Sequence, residues 1–203
     1  MINKIKNKNL ILSFLGTDGA GKSSQIELLL KSDFIKIYSK IYHYHFFKKF
    51  KYTKKKVLPY NKSYGYFFSI LKIIYIYLKF LIFYINISIF RFKKKKLIII
   101  DRSYHDFIID PERYGVIHFK FLIKFLFNFL PNPDIIFLFS APSKIIMKRS
   151  NELEKKILRE NLKKYKKFAK KFKNTIVIDT SKTKIKIHKY LLKKIKSYIS
   201  FQN

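Results

Sequence analysis

Three of the chain's five glycines fall within six residues, in Gly16-Thr-Asp-Gly-Ala-Gly21-Lys22-Ser23. The spacing fits G-x-x-x-x-G-K-[ST]. Successive backbone N–H groups of residues 19–23 can point into one concavity and hold phosphate oxygens. A helix opening near Lys22 adds its positive end to the same place. Lys22 can bridge β- and γ-phosphates, and the Ser23 hydroxyl can ligate Mg²⁺. A second constellation lies in LIIIDR, residues 97–102. Asp101 closes an apolar run at the place where ligands bind in open α/β sheets. It is placed to hold Mg²⁺, directly or through water, or to cap a following helix. Arg102 comes next, suited to clamp a phosphate or to form a structural ion pair.

These residues need a scaffold, and the apolar runs supply one. KNLILSFLG and LIIID (97–101) read as strands buried on both faces, FIKIYSKIY as the second strand, DIIFLFS (134–140) as a further strand and TIVIDTS (175–181) as a last short one. Between them, SSQIELLLKS, residues 66–90, 117–129, 143–173 (with a polar interruption near 150–155) and the C-terminal segment read as helices. The C-terminal helix presents Ile185, Tyr190, Leu191, Ile195, Tyr198 and Ile199 as its apolar residues. Residues 43–63 have no clear period. Strands alternating with helices predict a three-layer α/β/α fold around a mainly parallel five-stranded sheet. With no repeat and no Gly/Ser/Pro-rich linker, one domain over 1–203 is expected. Residues 40–92 would form an insertion.

Composition limits the partners. The net charge is +33, yet only five of the 45 basic residues are Arg and 40 are Lys. Lys, Ile, Phe, Tyr and Asn are all residues of A/T-rich codons, so the charge is read chiefly as solvated surface, with no specific nucleic-acid partner. The interleaved aromatic residues are read as core. Cysteine is absent, which rules out disulfides and thiolate metal sites. The N-terminal apolar run is too short for a signal peptide, so a cytoplasmic location is expected. Residues 66–90 are long enough for a membrane span, but Lys72 and Lys79 interrupt them. A helix buried on all sides is the favoured reading, and membrane association the weaker one. His43 and His45 lack a third ligand nearby and are read as solvated or stacked. Asp110-Pro-Glu-Arg113-Tyr-Gly115 reads as a turn whose Arg113 is placed equally for an acceptor site or an ion pair.

LGTDGAGKSSQ and IIIDRSYHD together resemble the thymidylate kinase family of P-loop nucleoside monophosphate kinases, whose loop reads like E-G-x-D-G-x-G-K-[ST]-T-Q. DRSYHDFIIDPERYG, PNPDIIFLFSAPSKIIMKRSNEL and ENLKKYKKFA extend the likeness across about residues 8–181. The resemblance implies ATP- and Mg²⁺-dependent phosphoryl transfer to a nucleoside monophosphate or related small phosphate acceptor. Donor ATP would lie on Gly16, Thr17, Asp18, Gly19, Ala20, Gly21, Lys22, Ser23 and Ser24, with Mg²⁺ at Ser23 and Asp101. Asp18, Asp101 and Arg102 would face the acceptor. Lys22, Arg102 and Arg149 would carry catalysis, Arg149 opening a short lid over about 149–158. A homodimer is compatible with the resemblance. The Arg-Pro-Gly-Gly segment expected after the second strand is missing, which weakens a specific claim for thymidylate. Gly19 stands before Ala20, so the loop itself supplies no arginine. The competing reading is an ATP-binding regulatory or scaffold protein at a membrane surface, without kinase turnover.

Overall fold

The computed structural model describes residues 9–46, 63–89, 96–150 and 153–201. The elements run β1 (Leu10–Leu15), α1 (Lys22–Leu30), β2 (Lys40–His45), α2 (Tyr66–Ile89), β3 (Lys96–Asp101), α3 (Tyr104–Ile109), α4 (Lys120–Phe127), β4 (Ile135–Ser140), α5 (Ser143–Arg149), α6 (Lys155–Lys171), β5 (Thr175–Asp179) and α7 (Lys184–Phe201). Short 3₁₀ turns occupy Asp33–Ile37 and Pro111–Tyr114. Two compact units result. One comprises Met1–Tyr44, Lys93–Asp101 and Pro133–Asn203; the other comprises His45–Phe92 and Arg102–Asn132.

The first unit carries the sheet, in the order β2-β3-β1-β4-β5. Its β1–β3, β1–β4 and β4–β5 ladders are parallel. Every residue of β1 and β3 is buried, as continuous apolar runs require when both faces are covered. Phe14 packs against Phe137 and Phe139 at ring-centroid distances of 5.6 and 5.4 Å. Ile26 and Leu29 of α1 join the same core as Ile187, Leu191 and Ile195 of α7. Ile185 and Tyr190, also assigned to the apolar face of α7, are exposed instead.

The second strand is displaced from its expected place. Phe34 and Tyr38 enter the core and the intervening Ile35 and Ile37 pack against it too, a set of neighbours that a helical turn keeps on one side and an extended strand would send to opposite faces. The chain therefore winds through Asp33–Ile37 and pairs only from Lys40. The long helical run over 143–173 splits into α5 and α6 at the expected polar interruption. The helix expected over 117–129 is confined to Lys120–Phe127.

An aromatic core holds the second unit. The Phe80 and Phe127 rings lie 5.8 and 5.6 Å from Tyr104, and Phe107 lies 5.6 Å from Phe127. One face of α2 turns inward through Ser69, Ile73, Ile76, Phe80, Phe83 and Tyr84. Its opposite face is open, which corrects the expectation of a helix buried on all sides. A single apolar face is enough to anchor it.

Phe14 is the test of the sheet core. Phe14→Ala should destabilise the protein by about 3–5 kcal/mol, because it removes a fully buried ring between two others. Denaturant unfolding of the two proteins measures the difference.

Candidate active site

The loop begins where β1 ends, inside the sheet. A Cβ on Gly16 would lie 2.5 Å from the carbonyl oxygen of Phe139 on β4, and its φ is +135°. No side chain fits there without moving backbone. The loop turns back on itself with Ala20 N–H donating to Thr17 O at 3.2 Å. Gly21, also left-handed, caps α1. Lys22 is buried, and its Nζ donates to the carbonyls of Gly16 (2.7 Å) and Thr17 (2.8 Å). The same cation proposed for phosphate contact thus braces the first half of the loop. Thr17 and Ala20 are buried, Asp18, Gly19 and Ser24 half-buried, and Ser23 exposed at the first turn of α1.

Gly19 faces the end of α5. A Cβ there would sit 2.9 Å from Ser150 Cβ and 3.1 Å from Ile146 O. Position 19 therefore has no room for a long cation. Arg149 lies in the helix end that abuts the loop, and its Nη2 donates to Thr180 O at 3.0 Å. Thr180 N–H in turn donates to Ser140 O at 2.9 Å, fixing the end of β5 to the end of β4.

Asp101 ends β3 in register with Phe14 of β1. Adjacent strands lie about 4.8 Å apart, so this buried carboxylate stands one strand over, two residues before the first loop glycine. The phosphate loop, Ser23, Asp101 and the Arg149 helix end all fall within the first unit. Among the described residues no three His, Asp or Glu side chains form a metal cluster. One carboxylate and one hydroxyl suit Mg²⁺, which keeps waters and takes its other oxygens from phosphates.

The chain passes into the second unit between Asp101 and Arg102. Arg102 is buried and has φ +64°. A non-glycine residue pays about 1–3 kcal/mol for such a backbone and holds it only where its surroundings over-determine it. Tyr114 shares this environment. Burial and then Asp106 push its phenol well above the usual range, Arg102 opposes them, and Asp110 adds to the rise. Arg113, on the adjoining turn, is half-buried.

A polar cluster beside Arg102 was not singled out from the sequence. His105 Nδ1 lies 3.0 Å from Ser103 Oγ, and Nε2 3.3 Å from Asn132 Oδ1. The Tyr104 hydroxyl donates to the same Asn132 oxygen at 3.0 Å, and its ring stacks on the imidazole at 4.0 Å. Serine beside histidine suggests a nucleophile and base, but both are fully buried. Their geometry ties α3 to the Asn132 turn. The sequence signal was a His set between Asp101-Arg102-Ser103 and Asp106, a polar run opening an apolar helix. His43 and His45, half-exposed or exposed on the edge strand β2, join no metal cluster.

A glycine-rich turn between a central parallel strand and a helix, with a carboxylate at the neighbouring strand end, defines a P-loop nucleotide kinase fold. Residues 14–193 match the family model described as thymidylate kinase. The chain belongs to the thymidylate kinase family and is a nucleotide kinase. It is similar in fold to thymidylate kinase from Candida albicans, with TM-score 0.66 and 18% identity over 95% of this chain and 93% of that one. Thymidylate kinase from Ehrlichia chaffeensis gives TM-score 0.63 and 19% identity over 93% and 99%. Deoxyadenosine kinase from M. mycoides with bound dATP gives 0.63 and 17% over 92% and 100%. No curated protein matches the chain.

Burial holds His105 neutral, pushing its pKa down to about 3, with the Asn132 bond opposing. Unfolded, the ring titrates near pH 6.5. As pH falls from about 6.5 towards 3 the unfolded chain gains a proton that the folded chain refuses, so stability is lost at up to ~1.4 kcal/mol per pH unit. Denaturant midpoints between pH 7 and pH 4 should fall less steeply in His105→Gln than in the parent. Parallel slopes would exclude His105 as the source.

Proposed function

We propose that this nucleotide kinase is ATP- and Mg²⁺-dependent and transfers a phosphoryl group to a nucleoside monophosphate or a closely related small phosphate acceptor. The observation that carries the reading is Asp101 in register beside the strand that opens into the phosphate loop. One structurally similar kinase holds dATP. In this reading the amides of residues 19–23 and the hydroxyls of Ser23 and Ser24 receive the donor phosphates. Gly16, Thr17 and Ala20 shape the loop. Lys22 exchanges loop carbonyls for phosphate oxygens and neutralises charge as the bond to the leaving group stretches. Ser23 and Asp101 hold Mg²⁺, which supplies charge neutralisation at the phosphates when bound.

Asp18 and Arg102 face the acceptor. An acceptor phosphate is already anionic, so no general base is needed; positioning and electrostatics do the work. Since Gly19 leaves no room for a cation in the loop, Arg149 is the residue assigned to the transferring group. It keeps Nη2 on Thr180 O and has the rest of its fork for that group. A cytoplasmic location follows from this substrate class, and one catalytic domain with an acceptor-side insertion is the proposed organisation.

Incubation of purified protein with ATP, Mg²⁺ and each common nucleoside monophosphate tests the proposal. ADP should form with at least one acceptor, and formation with none would overturn it. Lys22→Ala should both weaken ATP binding and nearly abolish turnover. Arg102→Lys keeps the charge but loses the planar fork. It should bind ATP normally while turnover falls about 10²-fold, the scale of one lost transition-state donor. Comparing ATP affinity with turnover separates the two roles, and unchanged turnover in a folded Arg102→Lys protein removes that arginine from the site.

Asp101 has its own signature. Asp101→Asn should shift the Mg²⁺ concentration needed for half-maximal activity upwards by about tenfold, the size of losing one metal-orienting group. If the carboxylate is only a strand-end cap, melting temperature falls and the Mg²⁺ requirement stays put.

A further inference from the structure

Ser103 stands at the N-cap of α3, where a serine hydroxyl usually accepts a bond from one of the helix's first amides. Here it makes no such bond. Its hydroxyl lies 3.0 Å from His105 Nδ1 instead, and both residues are fully buried. The direction of that bond follows from the other side of the ring. Nε2 faces the Asn132 amide oxygen at 3.3 Å, and an amide oxygen only accepts. Burial keeps the imidazole neutral. Nε2 therefore carries its one proton, Nδ1 is an acceptor, and Ser103 Oγ–H donates to it. Tyr104 fixes the ring further, stacking on it at 4.0 Å and donating to the same Asn132 oxygen. A helix of six residues that needed only a cap would use the serine directly. The chain gives up that bond to tie Ser103 to Asn132 through one histidine.

The tie restrains the residue before it. Arg102 has φ +64°, a left-handed conformation that a residue with a Cβ rarely adopts. Without restraint the backbone would relax to an ordinary region, and the guanidinium would swing with it. Residue 103 is held twice. Its carbonyl accepts the Asp106 amide at 3.0 Å, and its hydroxyl is committed to His105. The far end of Arg102 is held by a hydrogen bond with the buried Tyr114, which lies among the Asp106 and Asp110 carboxylates. Tyr114 packs edge-on against Phe107 of α3 at 5.4 Å. Every one of these residues belongs to the second unit, and α3 with its cap carries both holds.

We propose that Ser103, His105 and Asn132 are positioning residues: they lock the left-handed backbone of Arg102 and so aim its guanidinium at the acceptor phosphate. The aim rests on the acceptor role proposed for Arg102, whereas the lock stands on the geometry alone.

With only five arginines in the chain, the lock can be read without any turnover. In protein carrying isotope-labelled arginine, the Arg102 Nε–H signal is the one that Arg102→Lys removes. Ser103→Ala takes away the hydroxyl and nothing else. It should displace this signal and speed its hydrogen exchange at least about tenfold, with the other arginine signals in place. An unmoved Arg102 signal in folded Ser103→Ala overturns the proposal. Two histidine variants carry the same test should Ser103→Ala fail to fold. His105→Asn sets an amide oxygen near the position of Nδ1 and keeps an acceptor for Ser103. His105→Gln reaches Asn132 and leaves Ser103 without one. The parent's Arg102 signal should survive in His105→Asn and be displaced in His105→Gln; the reverse pattern overturns the route through Ser103.

Kinetics then test the aim. Ser103→Ala should lower kcat/KM for the acceptor about tenfold or more and leave the KM for ATP within about twofold. In an Arg102→Lys background the same change should cost less than about twofold, because the group it aims is gone. A full loss in both backgrounds overturns the proposal. A displaced Arg102 signal with the parent's kinetics upholds the lock and removes Arg102 from the acceptor site, so that failure belongs to the functional reading.

Discussion

The loop leaves a strand that has no free side. β1 is hydrogen-bonded to β3 on one edge and β4 on the other, and all six of its residues are buried. The chain must turn out of this position within one residue, directly beneath the Phe139 carbonyl. That close approach admits only glycine at 16. It also leaves the Gly16 and Thr17 carbonyls facing into the loop, where Lys22 meets both. A buried ammonium is expensive without partners; two short bonds to carbonyls satisfy it before any ligand arrives. In the proposed reading, binding phosphate is an exchange of acceptors, with no need to drag a hydrated cation out of water. Position 19 is constrained from the other side by the end of α5. In the proposed reading the loop is the anion cradle, and the long cations of the site come from elsewhere.

Elsewhere is where the scarce arginines stand. In a chain with 40 Lys and five Arg, base composition favours lysine wherever charge alone suffices. Arg102 sits at a backbone conformation that lysine tolerates no better and buries a planar group among Tyr114, Asp106 and Asp110. Arg149 uses one nitrogen of its fork on Thr180 O, which leaves the rest of the guanidinium for another acceptor. Both uses exploit the shape of the group in addition to its charge.

Much of this was legible because buried parallel strands write themselves as unbroken apolar runs. LILSFL, LIIID and IIFLFS stand out against a lysine-rich background, and the glycine spacing between the first run and its helix locates the phosphate loop. Asp101 was legible for the same reason, as the first charge after LIII. The second strand was not. Phe34-Ile-Lys-Ile-Tyr38 reads well enough as a strand, but core contacts at 34, 35, 37 and 38 demand a turn, and sequence does not say which residues the core will receive. Short α3 and the His105 cluster were hidden similarly. Ser103, His105 and Asn132 are 2 and 27 residues apart, and only the folded chain makes them neighbours.

Residues 66–90 show a different limit. Apolar residues on every side of a helix read alike whether the helix is enclosed, half-enclosed or in lipid, because hydrophobic periodicity disappears when both faces are apolar. The structure separates the faces, and the inward one contains a fully buried serine, Ser69, satisfied by Tyr64 O at 3.1 Å. The outward one then becomes the anomaly. Codon bias towards A/T supplies isoleucine and phenylalanine, but it supplies lysine equally, and a helix facing water has every reason to accept it. Lysine appears on the flank at 72 and 79 and never in the outward row of Phe67, Leu71, Ile74, Leu78, Ile82 and Ile85. Composition alone has no means of sorting residues by helical face. The sorting is a property of position, and position on a helix is set by what lies against it.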